Sequence, residues 1–158
     1  MKKLIFGGDS DHSFWGSIGV TAIRVFAGLA LALAHGRGKL PPSEGFIEGV
    51  VKMGFPMPIV FAWAAALSEF AGGILLALGL ATRLASFFII CTMTVALLFV
   101  HGADPFAKQE MAFLYLFIAI FFLFRGAGNI SADGLIRGDR KSTRLNSSHE
   151  WISRMPSS

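Results

Sequence analysis

The chain has 158 residues, of which 54% are hydrophobic and only 15% charged, with a formal net charge of +4. Soluble domains carry about 25% charged residues, so this balance excludes an ordinary soluble fold and points to residence in a membrane. The basic residues sit between apolar runs or near the end of the chain rather than along one helix face, which argues against nucleic acid as a partner.

Four apolar segments follow one another, each of a length suited to a hydrocarbon core about 30 Å thick. The first runs from about Trp15 to Ala34 and holds one charge, Arg24. A cleaved signal peptide ending at "ALA" is the competing reading of this segment; its long polar lead-in, its length and its central arginine argue against that. The connection "HGRGKLPPSEGFIEGVVKMGFP" comes next, in which Phe46, Ile47, Val50 and Val51 recur at helical spacing, so a short interfacial amphipathic helix is expected there. The second segment, about Met57 to Leu80, again holds one charge, Glu69. The third, about Leu84 to Val100, holds none, and the short "ATR" link makes it the antiparallel neighbour of the second. The fourth runs from about Phe106 to Phe124, with Lys108 and Glu110 near an interface. The segments are apolar or small nearly all round and show no sustained alternation, so an all-α bundle of four antiparallel transmembrane helices is the predicted fold.

Lysine and arginine are unevenly shared between the two sides. One side holds Lys2, Lys3, Arg83, Arg125, Arg137, Arg140 and Lys141; the other holds Arg37, Lys39, Lys52 and Lys108. The positive-inside rule then places both termini in the cytoplasm.

A charge near the centre of a bilayer costs several kcal/mol unless it is paired or hydrated. Arg24 and Glu69 each lie about halfway along helices of opposite direction, so an Arg24–Glu69 ion pair is expected, helped by Thr21 or Ser68. Gly28, Gly72 and Gly73 flank the two charges and permit close backbone approach. His35 follows Arg24 by eleven residues, or about 20° of rotation, which extends a polar line toward the surface. There His35, Arg37, Lys39, His101, Asp104 and Glu110 are expected to converge on one mouth. Lys39 is assigned to lipid headgroups, Asp133 to a turn or cap, and Cys91, the one cysteine, to apolar packing. No metal-ligand spacing of the CxxC type is present, so no metal site is expected.

The succession "TAIRVFAGLALALAHGRGKL", "MGFPMP", "SEFAGGILLALGLATRLAS", His101, Glu110 and "GAGNISADGLI" resembles the DoxX family of small four-helix bacterial membrane proteins over about Ser17 to Ile136. The glutamate before "FAGGILLALG", the "G-x-x-K-L" of Gly36 to Leu40, and the glycine-rich "GAGNISADG" carry the likeness. Ala132 stands where relatives commonly have leucine. The resemblance implies a bacterial cytoplasmic membrane location and a link to quinone-coupled oxidation of thiosulfate, or to membrane complexes that handle thiol and oxidative stress. The family-like domain is taken as residues 1–139. From Arg140 onward the Ser- and Arg-rich tail, residues 140–158, reads as translated adaptor sequence, with a natural disordered basic segment as its alternative.

Two functions from different classes remain open at this level. In one, the chain is a membrane subunit of a redox system that admits a quinone. Glu69 or Glu110 would relay protons, Arg24 would hold the glutamate charged or contact a quinone carbonyl, and His35 or His101 would exchange protons with the surface. Trp63 lies about 120° round the helix from Glu69 and reaches such a quinone site only if the cavity is wide. Electrons would come from a partner subunit or a soluble donor, since the sequence carries no flavin or nicotinamide fingerprint and no cysteine pair. In the other, the chain is a noncatalytic scaffold or small-solute carrier whose buried pair fixes helix register. A homo-oligomer is compatible with either.

Overall fold

The computed structural model describes residues 14–136. The tail of residues 140–158 and the cations Lys2, Lys3, Arg137, Arg140 and Lys141 lie outside the described residues.

Four helices long and apolar enough to span a bilayer are present, as expected: Phe14–Lys39, Pro58–Leu78, Thr82–Val100 and Phe106–Arg125. The first consists of α1 (Phe14–Ala30), continued by a wider π-helical stretch over Leu31–Gly36 and a 3-10 turn over Arg37–Lys39. It therefore ends beyond the expected Ala34, and Arg24 lies in its first half. The amphipathic helix of the long connection is α2 (Glu44–Lys52). Ser43 caps it by accepting the Phe46 N–H at 3.3 Å, with Glu44 in the first turn and Lys52 in the last, both favourable to the helix dipole.

The third and fourth elements form the expected hairpin. α3 (Pro58–Leu78) opens with proline, whose missing N–H costs nothing in the first turn. It closes at Gly79, whose φ of 68° is left-handed, with Gly79 N–H donating to Leu76 O and Leu80 N–H to Leu75 O, both at 3.0 Å. That is the Schellman arrangement, and it turns the chain straight into α4 (Thr82–Val95), which runs on as a π-helical turn over Ala96–Val100. Finally, α5 is Phe106–Arg125.

Burial in this bundle is selective. Leu31, Leu76, Ile89, Met93, Tyr115, Ala119 and Phe122 form the core, while Phe26, Leu98, Phe117 and Phe124 remain more than half exposed on the outside. In lipid an outward phenylalanine costs nothing, and apolar side chains gain little by moving inward, so helix association depends on close packing. The α1–α3 contact provides it. A Cβ on Gly28 would come within 2.5 Å of Gly73 O, one on Gly73 within 2.7 Å of Gly28 O, and one on Gly36 within 2.5 Å of Phe70 N. Glycine at these positions lets two backbones touch, and the contacts set the register: Gly28 lies opposite Gly73 and Ala77, and Gly36 opposite Glu69 and Phe70.

Candidate functional site

That register separates the two intramembrane charges. Gly36, the residue of the first spanning helix level with Glu69, comes twelve residues after Arg24, which at 1.5 Å per residue is about 18 Å along the helix. The expected Arg24–Glu69 pair is therefore not formed. Counting from estimated segment ends placed both residues at mid-depth; the extra turns of the first helix and its small-residue contacts move them to different levels.

Arg24 belongs to the end of the bundle where α3 turns into α4. Its Nη2 donates to Ile130 O at 2.8 Å, and its head lies so close to Gly79 that a Cβ there would sit 1.3 Å from Nη1. Asp133 stands nearby and interacts with it electrostatically. Asp133 also accepts from Ala81 N–H at 2.9 Å and Thr82 N–H at 3.0 Å, satisfying the first free amides of α4. Its own N–H donates to Gly79 O at 2.9 Å. Residues 130–133 thus form a clasp across the α3–α4 turn. The capping role expected of Asp133 is present, applied to a helix distant in sequence.

Glu69 faces the other half of the molecule. Its Oε1 accepts from Lys39 Nζ at 2.5 Å, and the glutamate side chain is 3% exposed against 37% for the lysine. Lys39, expected among headgroups, is thus the partner of the buried carboxylate. The same ammonium lies 5.8 Å from the centroid of the Phe46 ring, linking α2 to the pair. Sequence reasoning missed this pairing, although Lys39 follows Gly36 by three residues and the "G-x-x-K-L" pattern contains both.

Beside this pair a cavity of about 240 Å³ opens between α2, α3 and α4. Phe46, Val50, Met53, Phe61, Phe88 and Val95 supply apolar wall, and Lys39, Ser68, Glu69 and Thr92 supply the polar part. Cys91, expected only to pack, also borders it. Among the described residues, Ser68 Oγ and Glu69 Oε2 are buried without a hydrogen-bond partner. The other buried polar atoms in that condition are Arg24 Nε and Nη1, Thr82 Oγ1 and Ser86 Oγ. Buried polar atoms are ordinarily satisfied; here two of the orphans belong to residues that line a cavity.

The remaining candidates are joined by local contacts. His35 packs edge-on against Tyr115, with ring centroids 5.4 Å apart, and Tyr115 in turn lies within electrostatic range of Glu69. His101 Nδ1 pairs with Asp104 Oδ2 at 2.9 Å, and Lys108 approaches the same carboxylate at 3.6 Å. Gln109 ties that loop down by donating to His101 O and Asp104 O, both at 2.8 Å. The hydrogen bond from His101, aided by Lys108, holds the Asp104 carboxyl below the usual carboxylate range. Glu110 and Arg37 are exposed and join neither group. Trp63 is 42% exposed and is not among the residues that line the cavity. Contacts tie these residues into three groups, Lys39–Glu69, His35–Tyr115 and His101–Asp104–Lys108, the first two linked by the electrostatic interaction of Tyr115 with Glu69. The described residues contain no group of three or more metal-ligating side chains.

Comparison with known proteins gives two relatives of similar size. A protein of Bacillus subtilis (strain 168) named "Putative oxidoreductase CatD" is 29% identical over 125 residues, covering 78% of this chain and 91% of its own length. An uncharacterised protein of Haemophilus influenzae (strain ATCC 51907 / DSM 11121 / KW20 / Rd) is 39% identical over 111 residues, covering 64% of this chain and 78% of its own. No solved structure matches. The DoxX family model matches residues 19–102, a span that includes Arg24, the Gly28–Gly73 contact, Lys39, Glu69 and the whole cavity, so the chain is a multi-pass membrane protein of the DoxX family.

Proposed function

We propose that this protein is a subunit of a membrane redox system and that the cavity beside Lys39–Glu69 admits a quinone from the bilayer. The observation that carries the reading is an apolar cavity of about 240 Å³ with a buried ion pair and two unpartnered polar atoms, Ser68 Oγ and Glu69 Oε2, in its wall residues. Ligand sites of this kind are mostly apolar, with a few placed polar groups. The name of the Bacillus relative, an oxidoreductase, supports the same class.

The residues present fit a quinone head. Phe46, Phe61 and Phe88 bring aromatic rings to the wall, and Lys39 and Ser68 carry donors for a carbonyl oxygen. A bound quinone supplies two-electron, two-proton redox chemistry. The protein's own part is to hold the ring out of water, neutralise charge with the Lys39 ammonium, and take or give a proton at the Glu69 carboxyl. Tyr115 and His35, on the side of Glu69 toward α5, are suited to pass that proton to the surface. Arg24, packed into the clasp, has a structural part in this scheme, and Trp63 none. Electrons come from a partner subunit or soluble donor, with thiosulfate and thiol oxidation as the sulfur chemistry that family resemblance suggests. In the orientation given by the charge count, the clasp faces the cytoplasm and the cavity lies in the periplasmic half of the bacterial inner membrane.

Purification in mild detergent, followed by extraction and chromatography of bound quinone and identification of copurifying proteins, tests this reading. Quinone in stoichiometric amount from the wild type, reduced in a Glu69→Gln variant, is expected. Its absence, together with wild-type growth of a Glu69→Gln strain under thiol and oxidative stress, overturns the redox reading in favour of a noncatalytic scaffold or solute carrier.

A further inference from the structure

We infer that the cavity is selective for the reduced, dihydroxy member of the quinone couple, with Glu69 as the acceptor of a ligand hydroxyl. The inference rests on the quinone reading above and adds a redox-state preference to it.

The polar side chains of the lining residues can be inventoried by the hydrogen bonds they make. A carboxylate only accepts hydrogen bonds. Glu69 Oε1 accepts from Lys39, while Oε2 is buried without a partner among the described residues. The Lys39 ammonium carries three N–H donors, of which one serves Oε1. Ser68, 7% exposed, has a hydroxyl that can donate or accept, and it too has no partner. The unmet requirement is therefore a donor for Oε2.

To an ionised Glu69, paired with Lys39, a quinone cannot supply it. Its two carbonyl oxygens accept only, so they meet the spare hydrogens of Lys39 or Ser68 and leave Oε2 as it was. A hydroquinone hydroxyl donates to Oε2 while its oxygen accepts from Lys39 or Ser68, and both sides of the wall are satisfied. A buried acceptor left unmet retains its full desolvation cost, so the couple is discriminated at this one oxygen. The same reasoning explains why sites built to bond a hydroxyl reject analogues that lack it.

Access is consistent with this. The lysine that pairs with Glu69 is itself 37% exposed. The carboxyl turns about its terminal torsion, which is broad and soft, so either oxygen can be presented to the head group.

Binding of three probes to the full chain in nanodiscs under nitrogen, measured by titration calorimetry, tests the inference. The probes are duroquinone, duroquinol and the dimethyl ether of duroquinol, which keeps the ring and oxygens and lacks the O–H donors. Duroquinol is expected to bind about tenfold tighter than either of the others or better, and Glu69→Gln is expected to shrink that margin. Equal or tighter binding of duroquinone, or an ether that binds as well as duroquinol, overturns the redox-state preference and leaves the quinone site standing. Absence of binding by both duroquinone and duroquinol overturns the quinone reading itself and this inference with it. The ether comparison uses unmodified protein, so the outcome does not depend on the variant folding.

Discussion

The two ends of the bundle each bury a charged side chain in a transmembrane helix, and they treat it differently. At the clasp, Arg24 lies between a carbonyl of residue 130, the Gly79 turn and the Asp133 carboxylate, with no room for even one more carbon at Gly79. At the cavity, Glu69 has a single partner on a partly exposed lysine, lines the cavity, and keeps one buried oxygen unpartnered. Both keep unpartnered atoms, Nε and Nη1 of Arg24 and Oε2 of Glu69, so the difference lies in their surroundings: a charge enclosed by backbone groups serves the fold, and one whose residue lines a cavity is available for chemistry. The contrast assigns roles that identity alone does not, since an arginine and a glutamate near mid-helix read as equivalent anomalies.

The contrast breaks most completely if α1 is forced away from α3. Gly28→Leu places side-chain atoms where a Cβ already meets Gly73 O at 2.5 Å, and is expected to cost about 3 kcal/mol or to prevent folding. Gly19→Leu, where a Cβ meets nothing within 4 Å, is expected to be neutral. Thermal unfolding followed by size-exclusion chromatography in detergent compares the two, and equal losses would refute backbone contact as the source of register.

A double-mutant cycle sharpens the pairing. Lys39→Met leaves a buried carboxylate without its cation and is expected to cost about 1–3 kcal/mol, less than a fully buried pair because Lys39 is 37% exposed. Adding Glu69→Gln is expected to recover most of that loss. Arg24→Met and Glu69→Gln, by contrast, are expected to be additive within about 0.5 kcal/mol, as for distant sites. Coupling between Arg24 and Glu69 in place of Lys39 and Glu69 would reverse the assignment of the two ends.

At the clasp alone, Asp133→Ala removes the acceptor of two free amides of α4 and is expected to cost about 1 kcal/mol, with Asp133→Asn intermediate. Unfolding in mixed micelles provides the measure.

The smallest effect concerns the loop after α4. The folded Asp104 carboxyl titrates below its unfolded value, so its stabilisation is present above the ordinary carboxylate range and is lost as pH falls through the lowered folded value. Asp104→Asn is expected to leave stability near neutral pH slightly reduced and to flatten a small part of its decline on acidification. A decline of the same steepness in both proteins would remove this loop from the comparison.

Much of the fold was legible in the sequence because hydropathy and capping are local. Segments free of polar faces announce spanning helices, Ser43 and Glu44 announce the start of α2, and Gly79 announces the end of α3. The site was only half legible. Glu69 stood out as a carboxylate in an apolar run, but its partner depended on which residues of α1 lie level with it, and that follows from interhelical contact. The stripe of Gly28, Ala32 and Gly36, with Lys39 one turn further, was the available signal; it was obscured by ending the first helix at Ala34.

By itself, then, the sequence determined the class of protein, the number and order of spanning helices, and the presence of two charges that lipid would not tolerate unpaired. The tertiary structure decided which groups answer those charges. Hydropathy acts residue by residue, whereas a pairing needs register, and register here arises where glycines bring two backbones into contact, placing Arg24 at the clasp and Glu69 beside Lys39 at the cavity.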